Sequence, residues 1–167
     1  MKIGFIGVGA MAKAMIKGFI NSNQVKPEDI YVHAPHIDKY KQFAEELGVN
    51  CSNNNQEVVK SSDLIILAVG PNQVVDDLRE VRDDLVHKTL ASIAWQVSLE
   101  RLEELTSYDL PIIRLIPNVN VEVNEGMLIY KSNENLAGKS LNEIVHVFDL
   151  LGKIIEVEEA KFDVSGS

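Results

Sequence analysis

The chain has 167 residues, 46% hydrophobic and 25% charged, which is typical of one globular domain with a sizeable core. Its net charge of −9 argues against a nucleic-acid partner, because binding a phosphate backbone requires clustered Lys and Arg side chains. No apolar run approaches the roughly 20 residues of a membrane span, so no membrane partner is expected. The single cysteine, Cys51, can form neither an intramolecular disulfide nor a zinc-ligand cluster. It favours a reduced, cytoplasmic setting, and no metal site is expected.

Short apolar segments alternate with amphipathic segments along the chain. This pattern predicts an α/β domain of the doubly wound Rossmann type, with a mostly parallel sheet and helices on both faces. Strands are predicted at residues 2–6, 30–33, 49–51, 64–69, 90–93, 112–116, 127–130 and 154–157. Helices are predicted at residues 10–20, 38–47, 56–60, 72–85, 98–105 and 141–151, with Ser98 capping the fifth and Gly48 and Gly152 ending the second and sixth.

The loop Gly7-Val8-Gly9-Ala10-Met11-Ala12 follows the first strand and opens the first helix. This placement is typical of a dinucleotide pyrophosphate site. Gly7 permits a tight turn, Gly9 lets the pyrophosphate approach the backbone, and Ala12 keeps helix and strand close. The amides of Ala10 and Met11, with the positive end of the helix dipole, would hold the anion. The alternative is a glycine turn without a ligand.

The end of the second strand bears on which dinucleotide binds. An NAD site usually has an acidic residue there, bonded to the ribose diol, whereas this strand continues into Ala34-Pro35-His36. The missing carboxylate removes a repulsion against a 2′-phosphate, and His36 or Lys39 could add an attraction. The sequence therefore favours NADP, with NADPH preferred over NADH, and makes Ala34 and His36 candidate cofactor residues. A plain turn role for His36 is the alternative.

The central strand at residues 64–69 is apolar throughout, which predicts that helices cover both of its faces. Ligands of an open α/β sheet lie outside the carboxyl ends of the strands. We therefore expect the cofactor to lie along Ala68, Val69, Gly70 and Pro71. The alternative is that Gly70 and Pro71 only break the chain before the next helix.

The chain resembles the pyrroline-5-carboxylate reductases, which make proline by hydride transfer from NAD(P)H. The resemblance is carried, in order, by IGFIGVGAMA at residues 3–12, IKGF at 16–19, EELGV at 45–49, SIA at 92–94, RLIPN at 114–118 and GK with EV between 152 and 157. It implies an oxidoreductase of amino-acid biosynthesis that reduces the C–N (imine) bond of a cyclic imino acid. We name no catalytic residue, because no side chain makes a persuasive general acid.

The resemblance also implies roles for individual residues. Asn55 would contact the adenosine half of the cofactor, with helix capping within residues 53–55 as the competing interpretation. Ala94, through its backbone, and Asn118, through its amide, are candidates near the nicotinamide end. Trp95 is interpreted as a partly buried packing residue, with stacking on the nicotinamide as the alternative.

Three departures from the family pattern fall beside the expected nicotinamide site: Gly70 replaces a lysine, Trp95-Gln96 replaces Ala-Gly, and Val119-Asn120 replaces Thr-Pro. They motivate a second hypothesis, a non-catalytic nucleotide-binding or regulatory relative. A different Rossmann-type reductase, acting on a hydroxy acid or a deazaflavin, is the third.

The last residues, VSGS at 164–167, resemble the start of the family's Ser-Gly-Ser-Gly-Pro-Ala motif, which opens a second, helical domain. In the family that domain supplies most of the imino-acid site and the homo-oligomer interface. We therefore expect residues 1–160 to form the cofactor-binding domain and residues 161–167 to begin the connection to a second domain that this chain lacks. The chain alone is expected to bind cofactor without appreciable turnover.

Overall fold

Across residues 1–165, the part of the chain that the computed structural model describes, eight strands form one sheet. The strands are β1 (Ile3–Ile6), β2 (Ile30–His33), β3 (Asn50–Cys51), β4 (Leu64–Leu67), β5 (Thr89–Ser92), β6 (Ile112–Ile116), β7 (Gly126–Ser132) and β8 (Gly152–Glu156). Their order is β3-β2-β1-β4-β5-β6-β7-β8, and β6 and β7 pair antiparallel while the other neighbours pair parallel. The predicted mostly parallel sheet is confirmed.

The described helices are α1 (Ala10–Asn21), α2 (Lys41–Leu47), α3 (Asn55–Ser61), α4 (Val74–Val81), α5 (Leu99–Leu105), α6 (Gly138–Asp149) and α7 (Ala160–Ser165). The first six helices lie between strands in the predicted order, whereas α7 follows β8 and was not predicted. Ser98 caps α5, with its Oγ accepting from the Arg101 amide at 3.1 Å, and Gly48 ends α2 in the left-handed conformation. Both of these predictions are confirmed. None of the described helices is long and apolar enough to cross a bilayer.

Helices cover both faces of the sheet and divide the core in two. On one face α1, α2 and α6 pack over a cluster that includes Phe5, Phe19 and Phe148. On the other face α3, α4 and α5 pack over a second cluster. Strand β4 contributes Leu64 and Ile66 to the first cluster and Ile65 and Leu67 to the second, so its continuous apolar sequence is explained by burial on both faces.

The structure corrects the predicted start of the second helix. Residues Ile37–Lys39 form a separate 3-10 turn that follows the left-handed His36, and α2 begins at Lys41. Tyr40 separates the two elements because its buried hydroxyl returns to the backbone of Ala34, accepting from N–H at 3.2 Å and donating to C=O at 3.1 Å. This local contact interrupts the continuous helix that was predicted over residues 38–47.

Two further boundaries differ from the prediction. The predicted helix at residues 72–85 is α4 flanked by 3-10 turns at Pro71–Gln73 and Arg82–Leu85. Gly152 does not end the last predicted helix, because α6 ends at Asp149 and Gly152 begins β8. At Gly152, with φ of +146°, a Cβ would lie 2.1 Å from the carbonyl oxygen of Gly126. Glycine is therefore needed here for the close approach of two strands.

Candidate functional site

The glycine loop contacts the chain segments that follow β2 and β4. The Gly7 amide donates to the carbonyl of His33, after β2, at 2.8 Å. Gly7 has a φ of +100°, and a Cβ there would lie 2.3 Å from the carbonyl oxygen of Ala68, after β4. Only glycine fits this turn without strain, so the tight turn expected of Gly7 is present.

Gly9 has a different role because it faces open space. It is the N-cap of the 12-residue helix α1, with φ of −81° and no side-chain capping hydrogen bond. A Cβ built on Gly9 meets no atom within 4 Å. The first-turn amides of a helix have no intrahelical partner, so the amides of Ala10 and Met11 are available to an anion, while the Ala12 side chain is buried beneath them.

A cleft of about 640 Å³ lies along the carboxyl ends of β4, β5 and β6. It brings together five of the predicted residues, from the loop and from two strand ends: Met11, Ala68, Val69, Gly70 and Ala94. Pro71 follows Gly70 as an exposed residue at the start of a 3-10 turn. Trp95 and Gln96, which the sequence placed beside the expected nicotinamide site, also line the cleft. The remaining lining comes from five residues that were not predicted as cofactor contacts: Ile93, Arg114, Ile116, Pro117 and Phe162.

The far end of the cleft is built around a buried arginine. Arg114 of β6 is 3% exposed, and its Nη1 donates to Glu159 Oε2 at 2.9 Å. Its guanidinium carbon lies 4.9 Å from the ring centroid of Phe162 in α7. The same Glu159 oxygen accepts from the Leu99 amide, at the start of α5, at 2.7 Å. We call Arg114, Glu159 and Phe162 the clasp, because they fix the segment around α7 against the cleft.

The two predicted residues after β2, Ala34 and His36, have different environments. The backbone N–H and C=O of Ala34 both bond to the Tyr40 hydroxyl, so Ala34 offers a surface and no free hydrogen-bonding group. His36 is exposed, with a left-handed φ of 64°. The Lys13 ammonium of α1 donates to the carbonyl of Lys39 at 3.3 Å, which brings its charge to the same loop.

Asn55 is buried between α3 and α4, with 7% of its surface exposed. Its amide nitrogen donates to Glu80 Oε2 at 3.1 Å and approaches Asp77 Oδ1 at 3.5 Å, while its Oδ1 has no partner among the described residues. Capping of α3 falls to Asn54, whose side chain accepts from the Glu57 amide at 2.8 Å. Burial, and then the Glu80 carboxylate, raise the pKa of Asp77 above its ordinary value.

Asn118 and Trp95 differ in their relation to the cleft. The Asn118 Oδ1 accepts from the Met127 amide at 3.3 Å, so part of its amide joins the end of β6 to β7. It lies next to Pro117 but is not itself part of the cleft lining. Trp95 is 53% exposed and lines the cleft, so its indole is only partly buried and one part of it is accessible from the cleft.

The described part of the candidate site contains no cluster of metal ligands. Among residues 1–162, whose side chains the structure describes, no group of three or more His, Cys, Asp or Glu side chains could hold a metal ion. The residues Gly166 and Ser167 of the VSGS segment lie outside the described residues. The described site is therefore a loop of free amides that continues into a largely apolar cleft.

The family model described as NADP oxidoreductase, coenzyme F420-dependent, matches residues 2–96. The chain belongs to this family. The match includes the glycine loop and extends through the strand ends after β4 and β5, as far as Trp95 and Gln96. It therefore covers most of the residues that the sequence and the cleft bring together.

Individual relatives confirm the resemblance found in the sequence. The chain is 35% identical over 159 residues to a pyrroline-5-carboxylate reductase of Escherichia coli (strain K12), covering 95% of this chain and 59% of that protein. A pyrroline-5-carboxylate reductase of Staphylococcus epidermidis is 30% identical over 161 residues, with the same coverage. The NADP-bound structure of Plasmodium falciparum pyrroline carboxylate reductase has a TM-score of 0.90 and 28% identity over 99% of this chain and 60% of that one. The chain thus spans about 60% of the length of the relatives it matches.

Proposed function

We propose that this chain is the NADP(H)-binding part of a reductase that converts 1-pyrroline-5-carboxylate to proline. The observation that carries the proposal is the uncapped N-terminus of α1 at Gly9, which opens directly beside a cleft along the strand ends. The relatives that match 95% of the chain are pyrroline-5-carboxylate reductases, and one matching structure holds NADP. Both facts support the same cofactor and the same reaction class.

The strand order supports a path in which the two halves of the cofactor would lie on two sides of the loop. Since β1 lies between β2 and β4, a pyrophosphate on the Ala10 and Met11 amides leaves one half of the dinucleotide over β2 and the other over β4 and β5. The adenosine half would lie toward His36, and the nicotinamide half would enter the cleft beside Gly70. The open space at Gly9 and Gly70 fits this path, because neither position would place a Cβ within 4 Å of another atom.

The contribution of this chain to the reaction would be binding and positioning. The bound cofactor supplies the hydride, and the protein holds it in place and shapes the electrostatics around it. The α1 amides would fix the pyrophosphate. The apolar walls at Ile93, Ile116 and Pro117 would exclude water from the nicotinamide end of the cleft.

We further propose that NADPH is preferred over NADH. The loop after β2 carries His36 and Lys39, and the Lys13 ammonium reaches the Lys39 carbonyl of the same loop. Lysine ammonium groups and an imidazole N–H at this strand end would favour a 2′-phosphate over a free ribose diol. Calorimetric titration of the chain with NADPH and NADH tests this preference. NADPH should bind more tightly, and His36→Asp should reduce the difference.

His87→Asp is the matched control for that titration. His87 is also exposed and left-handed, with φ of 69°, but it precedes β5 and so lies at the amino end of a parallel strand, whereas His36 follows the carboxyl end of one. It should leave both affinities unchanged. Tighter binding of NADH by the unmodified chain would contradict the proposed preference.

The second candidate function is a non-catalytic nucleotide-binding relative. It is favoured by Gly70 and Trp95, two cleft residues that depart from the pyrroline-5-carboxylate reductase pattern described in the sequence analysis. The chain alone is expected to bind cofactor without appreciable turnover, and proline formation by it would contradict that expectation. In a protein that also contains the remaining part of the relatives, good NADPH affinity without reduction of pyrroline-5-carboxylate would favour the non-catalytic role.

The third candidate, a reductase of a deazaflavin or a hydroxy acid, has weaker support. The matching family description names coenzyme F420, but the model covers residues 2–96. The pyrroline-5-carboxylate reductases match 95% of the chain, which favours the imine substrate. The cytoplasmic setting and homo-oligomerisation through a second domain stay predictions.

A further inference from the structure

Trp95 is the only tryptophan of the chain, and it lines the cleft. It is 53% exposed, although a large aromatic side chain gains most from burial. Its position, in the turn after β5, is one where ligands of an α/β sheet bind. An exposed aromatic group at the wall of a ligand cleft indicates a contact that a ligand completes.

The turn that carries Trp95 is held firmly on both sides. Ala94 is 5% exposed and Val97 is 7% exposed, so the residues flanking the turn are anchored in the core. The Ala94 amide also donates to Ser92 Oγ at 3.2 Å. Gln96 has a left-handed φ of 59°, a conformation that non-glycine residues rarely adopt. Only a well-fixed turn maintains it, so the indole is presented from a defined backbone.

The path proposed for the cofactor leads to this turn. A pyrophosphate on the α1 amides is next to Met11, which lines the near end of the cleft. Beyond it, Gly70 leaves open space at the end of β4, and β5 is the next strand of the sheet. A flat ring attached through a ribose to that pyrophosphate therefore arrives at the end of β5, where Trp95 lies.

We propose that the Trp95 indole stacks on the nicotinamide ring of the bound cofactor and helps to set the position of that ring. This inference rests on the proposed function, since it requires NADP(H) in the cleft. It assigns to Trp95 a contact that the alanine of the family pattern described in the sequence analysis could not make. Because Trp95 is the only tryptophan, the tryptophan fluorescence of the chain reports directly on the proposed contact.

The test compares NADP⁺ with 2′,5′-ADP, which carries the adenosine and 2′-phosphate but no nicotinamide. Titrated into the unmodified chain, NADP⁺ should quench the Trp95 emission strongly, and 2′,5′-ADP should change it little. By calorimetry, Trp95→Ala should weaken NADP⁺ binding about 3- to 10-fold, equivalent to about 0.6–1.4 kcal/mol, and leave 2′,5′-ADP affinity unchanged. Trp95→Phe keeps an aromatic ring and should retain NADP⁺ affinity within about twofold.

Tyr108→Ala is the matched control, because Tyr108 is an aromatic side chain that is 64% exposed and lies outside the cleft lining. It should change neither affinity. Equal quenching by both ligands, or NADP⁺ affinity that Trp95→Ala leaves unchanged or increases, would overturn the stacking proposal while leaving the proposed function intact. Failure of both ligands to bind the folded, unmodified chain would overturn the proposed function and the stacking with it.

Discussion

Substitution by alanine should have different consequences at the two glycines of the glycine loop, Gly7 and Gly9. Gly7 has a backbone that disfavours any side chain, and its Cβ would lie 2.3 Å from the Ala68 carbonyl oxygen. Gly9 has an ordinary φ of −81° and open space where its Cβ would stand. Gly7→Ala should therefore damage the fold, whereas Gly9→Ala should damage only cofactor binding.

The expected magnitudes follow from these geometries. At Gly7, the left-handed backbone costs about 1–3 kcal/mol and the overlap with a backbone oxygen about as much again, so the free energy of unfolding should fall by about 2–6 kcal/mol. At Gly9, exchanging one N-cap residue for a poorer one costs about 1 kcal/mol or less. The added methyl group would keep the pyrophosphate away from the α1 amides, so NADPH affinity should fall at least about tenfold, or about 1.4 kcal/mol.

Urea denaturation followed by circular dichroism measures the stabilities, and calorimetric titration with NADPH measures the affinities. The informative variant is Gly9→Ala, since it separates binding from folding. If that variant folds normally and binds NADPH as tightly as the unmodified chain, the pyrophosphate does not lie on the α1 amides. If Gly7→Ala is as stable as the unmodified chain, the described turn is not the one that the protein adopts.

Three other substitutions test the core, the clasp and the acidic pair Asp77 and Glu80 by urea denaturation. Phe148→Ala removes a fully buried ring 6.3 Å from that of Phe19 and should lower the free energy of unfolding by about 3–5 kcal/mol. Glu159→Gln weakens the charged hydrogen bond to Arg114 and should cost about 1–3 kcal/mol, whereas the exposed Glu158→Gln should cost little; equal effects would contradict the clasp. Burial and Glu80 raise the pKa of Asp77, so its ionised form weakens the fold at neutral pH. Asp77→Asn should therefore stabilise the chain at neutral pH, and the gain should disappear as the pH falls below about 4, the ordinary carboxyl range; a gain independent of pH would contradict this.

Elements with a local signal were predicted closely. The strand at residues 112–116 matches β6, and the start of α1 at Ala10 follows from the glycine loop before it. Ser98 was identifiable as a cap because a short polar side chain before a helix satisfies an amide that the helix itself leaves free. In each case the deciding interaction spans only a few residues of sequence.

Features that depend on distant residues were not predicted. The antiparallel direction of β7 and the role of Gly152 arise from strands that approach only in the folded chain. The isolated charge of Arg114 within an apolar strand could have signalled a buried partner, since buried charges are rarely left unpaired. The identity of that partner could not be found, because Glu159 lies 45 residues further along the chain.

The same division runs through the candidate site. The glycine loop is a local motif, whereas the far end of the cleft combines Trp95, Arg114 and Phe162 from three separate parts of the chain. Glu159 connects these parts, because one of its oxygens accepts both from Arg114 in β6 and from Leu99 at the start of α5. The turn that carries Trp95 leads directly into α5, so the hydrogen bond from the Leu99 amide to Glu159 connects this turn to the clasp. Substitutions at Trp95, Arg114 or Glu159 are therefore expected to affect the same wall of the cleft.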